Sequence, residues 1–163
     1  MHHVEGAELE KLLEQEEGNR LHAFCGYDQP CDMILTTDRG FAQMTAEQIH
    51  RGRKAVAPSG VHLHTQDLRS VLNIRTFREI LFPIHCKMNL LPEPEQTAEG
   101  LLAGDLLQLL ERHLQGDAPY FFRMQILAPM AENKKNTFLK KTAYALEEKS
   151  GYRLKNTPGR YEV

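Results

Sequence analysis

The chain has 163 residues, of which 41% are hydrophobic and 26% charged, and its formal net charge is −2. That length holds one good core or two small domains, and no apolar run approaches the roughly 20 residues that a helical bilayer span needs. Three cysteines (Cys25, Cys31 and Cys86) make an odd set, which argues against a disulfide framework and for a reducing cytoplasmic setting.

The chain opens acidic: residues 1–20 carry six glutamates against Lys11 and Arg20, so a basic, then apolar, secretory leader is not expected here. Leu9, Leu12 and Leu13 give that stretch a short amphipathic pattern, and residues 1–30 read as an N-terminal extension. His2 and His3 are adjacent at a chain end and read as solvated. His22, Cys25 and Cys31, with His85 and Cys86 further on, lack the paired, tight spacings of a structural zinc site, so no metal is expected there. None of the cysteines has a neighbouring acid–base pair that would make it a nucleophile.

Met33–Thr37 reads as a strand, Asp38-Arg39-Gly40 as a turn, and 41–50 as a helix with Phe41, Met44 and Ile49 as apolar positions. Arg51-Gly52-Arg53-Lys54 reads as a basic loop. Val61 and Leu63 alternate with His62 and His64 as a half-buried strand requires, which leaves the two histidines on one exposed face. Asp67 is placed to cap a helix running to about Phe82, and 84–90 reads as a further strand. Residues 31–90 therefore form an α+β domain. Two prolines and two glutamates in 91–96 mark a linker.

Beyond the linker, Thr97 is expected to cap a helix through Leu114 with Leu102, Leu106, Leu109 and Leu110 on one face. Residues 120–127 alternate as a strand with Tyr120, Phe122, Met124 and Ile126 inward. Phe138, Leu139, Thr142, Ala143 and Leu146 then form the apolar stripe of a helix whose opposite face carries Lys140, Lys141, Tyr144, Glu147 and Glu148. Gly151 stops that helix in a left-handed conformation, and a hairpin is expected around Pro158-Gly159, with a strand from Arg160. The chain ends at Tyr161-Glu-Val163 within a strand pattern, which suggests a longer parent protein.

This second half is also divided by charge. Residues 91–117 carry six acids against one arginine, a net −5, whereas from Lys134 to Val163 eight basic residues stand against three glutamates, a net +5. Positive charge interleaved with Phe138, Tyr144, Tyr152 and Tyr161 suits a phosphate backbone and loose nucleotide ends.

The run Phe122 to Ile126, the helix from Phe138 to Leu146, and Ser150-Gly-Tyr-Arg-Leu-Lys-Asn-Thr-Pro158 followed by Tyr161-Glu-Val163 resemble a THUMP domain. This is an RNA-binding module of thiouridine synthetases, pseudouridine synthases and RNA methyltransferases. Met33 to Gly40 and Ala46 to Ile49 are similar to the ferredoxin-like domain that precedes it in the methyltransferase branch. The resemblance spans residues 31–163. It implies an N-terminal ferredoxin-like domain over 31–90 and a THUMP-like α/β domain over 97–163. Together they would hold the acceptor end of a tRNA, or a similar RNA end, for a catalytic domain elsewhere.

The resemblance implies that this domain is an S-adenosylmethionine-dependent RNA (guanosine) methyltransferase, so the cofactor is expected there and not in this chain. Lys134 and Lys135 in a basic loop, Lys140 and Lys141 on the helix's polar face, and Arg153 and Lys155 on the hairpin are the expected RNA contacts, acting by phosphate neutralisation and not by base readout. No glycine-rich nucleotide loop follows a strand, and no nucleophile stands with a base and its orienter, so no catalytic residues are expected in these residues. The alternative is a protein-interaction domain in which the acidic N-terminal segment docks on the basic helix.

Overall fold

The computed structural model describes residues 22–86 and 92–157. The chain is α+β with two separate hydrophobic cores. The first belongs to a four-stranded sheet. Its elements are β2 (Cys31–Thr36), α1 (Ala42–Glu47), β3 (Arg53–Ala57), β4 (Gly60–Thr65), α2 (Leu68–Val71) and β5 (Glu79–Leu81), following the two-residue β1 (Ala23–Phe24). The strands lie in the order β3–β4–β2–β5, every pair antiparallel.

Alternation along Cys31-Asp-Met-Ile-Leu-Thr36 sends Cys31, Met33 and Leu35 to one face, and the register pairs them with Thr65, Leu63 and Val61 of β4. Ala42, Thr45, Ala46 and Ile49 from the α1 region, with Leu68, Val71 and Ile74 around α2, cover that face. The other face, carrying Asp32, Ile34, Arg53, Ala55, His62 and His64, is left open. Leu35 is wholly buried. Its replacement by alanine is expected to lower unfolding free energy by about 3 kcal/mol in a urea titration, and a loss below about 1 kcal/mol would contradict this packing.

The second core is built from helices over a short parallel pair. Its elements are α3 (Pro94–Ala103), α4 (Leu106–His113), β6 (Leu114–Gln115), β7 (Tyr120–Phe122), α5 (Glu132–Lys149) and β8 (Leu154–Asn156). β7 and β8 are parallel, so α5 is the crossover between them. Thr142, Ala143, Ala145 and Leu146 are buried along α5, facing a core that includes Ala98, Leu106, Leu110, Tyr120, Phe122 and Leu154. Gly151 has φ +63° and ends α5 as expected, and Tyr152 follows with φ +61°.

Several elements differ from the sequence expectation. The helix expected from Asp67 to Phe82 is one turn. Asp67 does cap it, accepting from the Ser70 amide, but the chain then leaves the helix so that Ile80 can pair with Leu35 at the sheet edge. Arg53 and Lys54 are not loop residues but the start of β3. This strand escapes hydropathy patterning because both its faces are largely exposed. Phe41, just before α1, and Met44 within it are exposed, while Ala42, Thr45 and Ala46 face inward.

Residues 82–86 are not a strand, and 87–91 lie outside the described residues. Pro94–Gln96 are helical and not linker, because proline suits the first position of a helix; Thr97 is a buried helical residue and not the cap. The long helix breaks at Gly104-Asp105 into α3 and α4. A side chain at Gly104 would lie 2.7 Å from the His85 carbonyl oxygen, so this break is where another segment crosses close to the helix. The strand expected over 120–127 is only β7, and its three residues are all buried, Phe121 included. β8 pairs with β7, whereas the expected turn at 158–159 and strand from Arg160 lie outside the described residues, as do residues 1–21.

The segment 22–30 links the two cores. Ala23 and Phe24 pair antiparallel with Gln115 and Leu114, and the Cys25 amide donates to the His113 carbonyl at 2.7 Å. Arg112 Nη1 donates to the Pro30 carbonyl at 3.0 Å. Gly26 sits at φ +70°, and a Cβ there would lie 2.3 Å from the Arg112 carbonyl oxygen, so only glycine fits both the dihedral and the space.

Candidate nucleic-acid interface

The helix α5 brings most of the sequence-predicted basic residues together. Lys134 and Lys141 are two turns apart and share a face, with Thr137 between them. Lys134, Lys140 and Lys141 are exposed, and among the described residues none of the three makes an ion pair. Lys135 sits on the packing side, seven residues before buried Thr142, and is half-buried.

Two basic residues in the first turn oppose the helix dipole, whose positive end lies at the N-terminus; only Glu132 offsets them. Their placement therefore concentrates positive charge at that end of α5 instead of stabilising it. Tyr144 and Tyr152 are 65% and 67% exposed, so neither ring is a core residue. Phe138 is half-buried, in keeping with its place in the apolar stripe.

An open groove of about 1030 Å³ runs between the first turn of α3 and α5. Lys140, Lys141, Tyr144 and Lys149 line it on one side, Glu93 and Glu95 on the other, and Glu148 contributes a further acid. A smaller recess of about 330 Å³ continues past Pro94 to Lys134, Thr137 and Phe138. Lys149 is held by Glu99 at 2.8 Å, a hydrogen bond that raises its pKa above the usual lysine range. Arg153 is held by Glu111 across the turn. Lys155 is exposed on β8, in register with Phe121. The six predicted contacts thus separate into three lysines on the open side of α5 that are unpaired among the described residues, half-buried Lys135, exposed Lys155, and an ion-paired arginine.

The other candidates do not converge. Among the described residues no three histidine, cysteine or acidic side chains are placed to hold a metal ion. Cys25 donates from Sγ to the Arg112 carbonyl at 3.6 Å, and Cys31 to that of Thr65 at 3.7 Å. Burial raises the Cys31 thiol above its usual range, which lowers the share present as thiolate. All three cysteines are free thiols. His62 and His64 lie on the open sheet face, as the alternation predicted.

Sequence reasoning missed a cluster beside them. Asp32 on β2 faces His64 at 2.6 Å and His85 at 3.6 Å, and His85 in turn is bound by Asp105 at the start of α4. His85 and Asp105 lie 20 residues apart, and only the Gly104-Asp105 pair inside a leucine-rich run hinted at a break there. Among the described residues, no helix is long and apolar enough to cross a membrane. Comparison with protein-family models, with curated proteins and with solved structures finds no match for this chain.

Proposed function

We propose that the chain is the RNA-binding part of an RNA-modifying enzyme, gripping an RNA end through the open side of α5. The observation that carries the reading is that Lys134, Lys140 and Lys141, which make no ion pair among the described residues, gather on one exposed side of α5 with Tyr144. Three mobile cations can neutralise successive phosphates, and an exposed tyrosine offers a ring on which a base can stack. Lys155 and Tyr152 extend the surface past the end of the helix; Arg153 would join it by exchanging Glu111 for a phosphate, and Lys135 would add charge at the first turn.

The first unit supports the same reading. The connectivity β-α-β-β-α-β, with its second, third, first and fourth strands in spatial order, supports a ferredoxin-like reading of this unit. With the THUMP-like second unit, this is the domain pair expected to present the acceptor end of a tRNA to an S-adenosylmethionine-dependent RNA methyltransferase domain in a cytoplasmic parent protein. The chain's own role in that scheme is to bind and position RNA, with no catalytic group of its own.

The acids that line the groove, Glu93, Glu95 and Glu148, favour a second reading in which a protein segment of mixed charge docks there. Binding of the chain to a tRNA with and without its single-stranded 3′ end separates the two. The RNA-end reading predicts affinity that falls by about tenfold or more when that end is removed, because stacking contributes about 1–3 kcal/mol per base. Equal affinity for both RNAs would remove the RNA end from the proposal, and absence of binding at low salt would favour the protein partner.

A further inference from the structure

The two cores meet along a joint that contains two histidines in opposite environments. On one side, His85 stands between carboxylates from both units. Its backbone amide donates to Asp105 Oδ1 at 2.7 Å and its ring Nδ1 to Asp105 Oδ2 at 2.9 Å, while Nε2 faces Asp32 Oδ2 on the sheet at 3.6 Å. A ring that meets a carboxylate at each nitrogen is suited to the imidazolium, in which both nitrogens carry protons. His64 of β4 competes for the other oxygen of Asp32, and Arg53, Lys54 and His62 line the same open groove of about 560 Å³.

On the other side, His113 at the end of α4 is 4% exposed. Its ring stacks on Phe24 of β1 at 5.3 Å and lies 5.2 Å from Phe82, which packs against the sheet core. Nδ1 meets the Cys25 carbonyl at 3.3 Å, and Nε2 is buried without a hydrogen-bond partner. A proton on Nε2 would be an unsatisfied donor on a charged ring among aromatics, with the Arg112 guanidinium as the neighbouring charge. This ring is suited to the neutral form.

We propose that this joint is a two-histidine proton latch, which closes with His85 charged and His113 neutral. The inference rests on the joint's geometry and stands whether or not α5 binds RNA. The hydrogen bond with Asp105 raises His85 above the usual histidine range, while Asp105 is pulled up by burial but held lower overall by its bonds from His85. Burial lowers His113. For His85 the closed joint binds the proton more tightly than the open one. Its contribution is complete below the ordinary histidine value of about 6.5 and is lost as pH rises through the raised value. For His113 the open joint binds the proton more tightly, so the closed form weakens as pH falls below about 6.5 towards the lowered value. Closure is therefore strongest near the ordinary histidine value and falls off on both sides.

The test is amide hydrogen exchange on the full chain from about pH 5 to about pH 8.5, with the intrinsic pH dependence of exchange divided out. The reporters are the Cys25 amide, bonded to the His113 carbonyl, and the His85 amide, bonded to Asp105. Protection is expected to peak near the histidine midpoint and to fall on each side by at most about tenfold per pH unit, the limit for one titrating proton. His85→Gln should remove the alkaline fall at Cys25 and keep the acid one, and His113→Phe, which retains the aromatic stack, should do the reverse. Protection that is flat or changes in one direction only in the unmodified chain overturns the latch, as does a His85→Gln profile that keeps its alkaline fall. Should His113→Phe not fold, the unmodified chain and His85→Gln decide the matter between them.

Discussion

Replacing Gly26 by alanine is expected to destabilise the chain by about 2–4 kcal/mol, combining a left-handed dihedral with a forced overlap. The glycine adopts φ +70°, and the added carbon would lie 2.3 Å from the Arg112 carbonyl oxygen, a backbone atom that cannot swing aside. Around it, the Cys25 amide bonds to His113 and Arg112 reaches Pro30, so relieving the overlap means separating the N-terminal segment from α4. Gly151→Ala is the natural control. It has nearly the same dihedral, φ +63°, with nothing within 4 Å of the added carbon, so it isolates the backbone strain at about 1 kcal/mol. Urea unfolding of the two variants side by side makes the comparison. Equal losses would mean that the segment 22–30 does not pack against α4.

The second large effect concerns the basic face. Converting Lys134, Lys140 and Lys141 together to alanine removes three phosphate contacts under the proposed reading. Each contact with a single strand contributes about 0.7 to the slope of log affinity against log salt, so the slope should flatten by about 2. If the two proteins bind equally at 1 M salt, that difference amounts to roughly a hundredfold weaker binding at 0.1 M. Stability should barely change, since the three side chains are exposed and unpaired among the described residues. A binding curve measured by fluorescence anisotropy in several salt concentrations would show both the slope and its loss. An unchanged slope would place the RNA, if it binds, on another surface.

Much of this arrangement was legible in the residues, and the parts that were not have identifiable causes. β2, β4 and α5 announce themselves because each buries one face and leaves the other in solvent, which imprints a period of two or of 3.6 on the sequence. Gly151 marks the end of α5 because few other residues take a left-handed cap at low cost. β3 carries no such imprint, since an edge strand exposed on both faces has nothing to sort. The stretch from Asn73 to Phe82 offers helical spacing, but strand pairing of Ile80 with Leu35 outweighs that local preference.

The candidate surface was readable to the same extent. The apolar stripe from Phe138 to Leu146 marked the polar side of Lys140 and Lys141, whereas Lys134 and Lys135, expected in a loop, fall in the first turn of α5, with Lys135 half-buried. The engagement of Arg153 by Glu111 was not readable, because the two lie 42 residues apart and meet only once the fold has formed. Nor was the part played by residues 22–30. Two-residue strands have no periodicity, and the partners of β1 lie ninety or more residues further along the chain.

The measurement that bears most directly on the central claim is the affinity of the unmodified chain for a tRNA carrying its single-stranded 3′ end, taken across a salt series. A surface built on Lys134, Lys140 and Lys141 predicts binding at low salt that weakens as salt rises, with a slope of about 2 or more in magnitude. Affinity that does not change with salt, or no binding at the lowest salt, would contradict it.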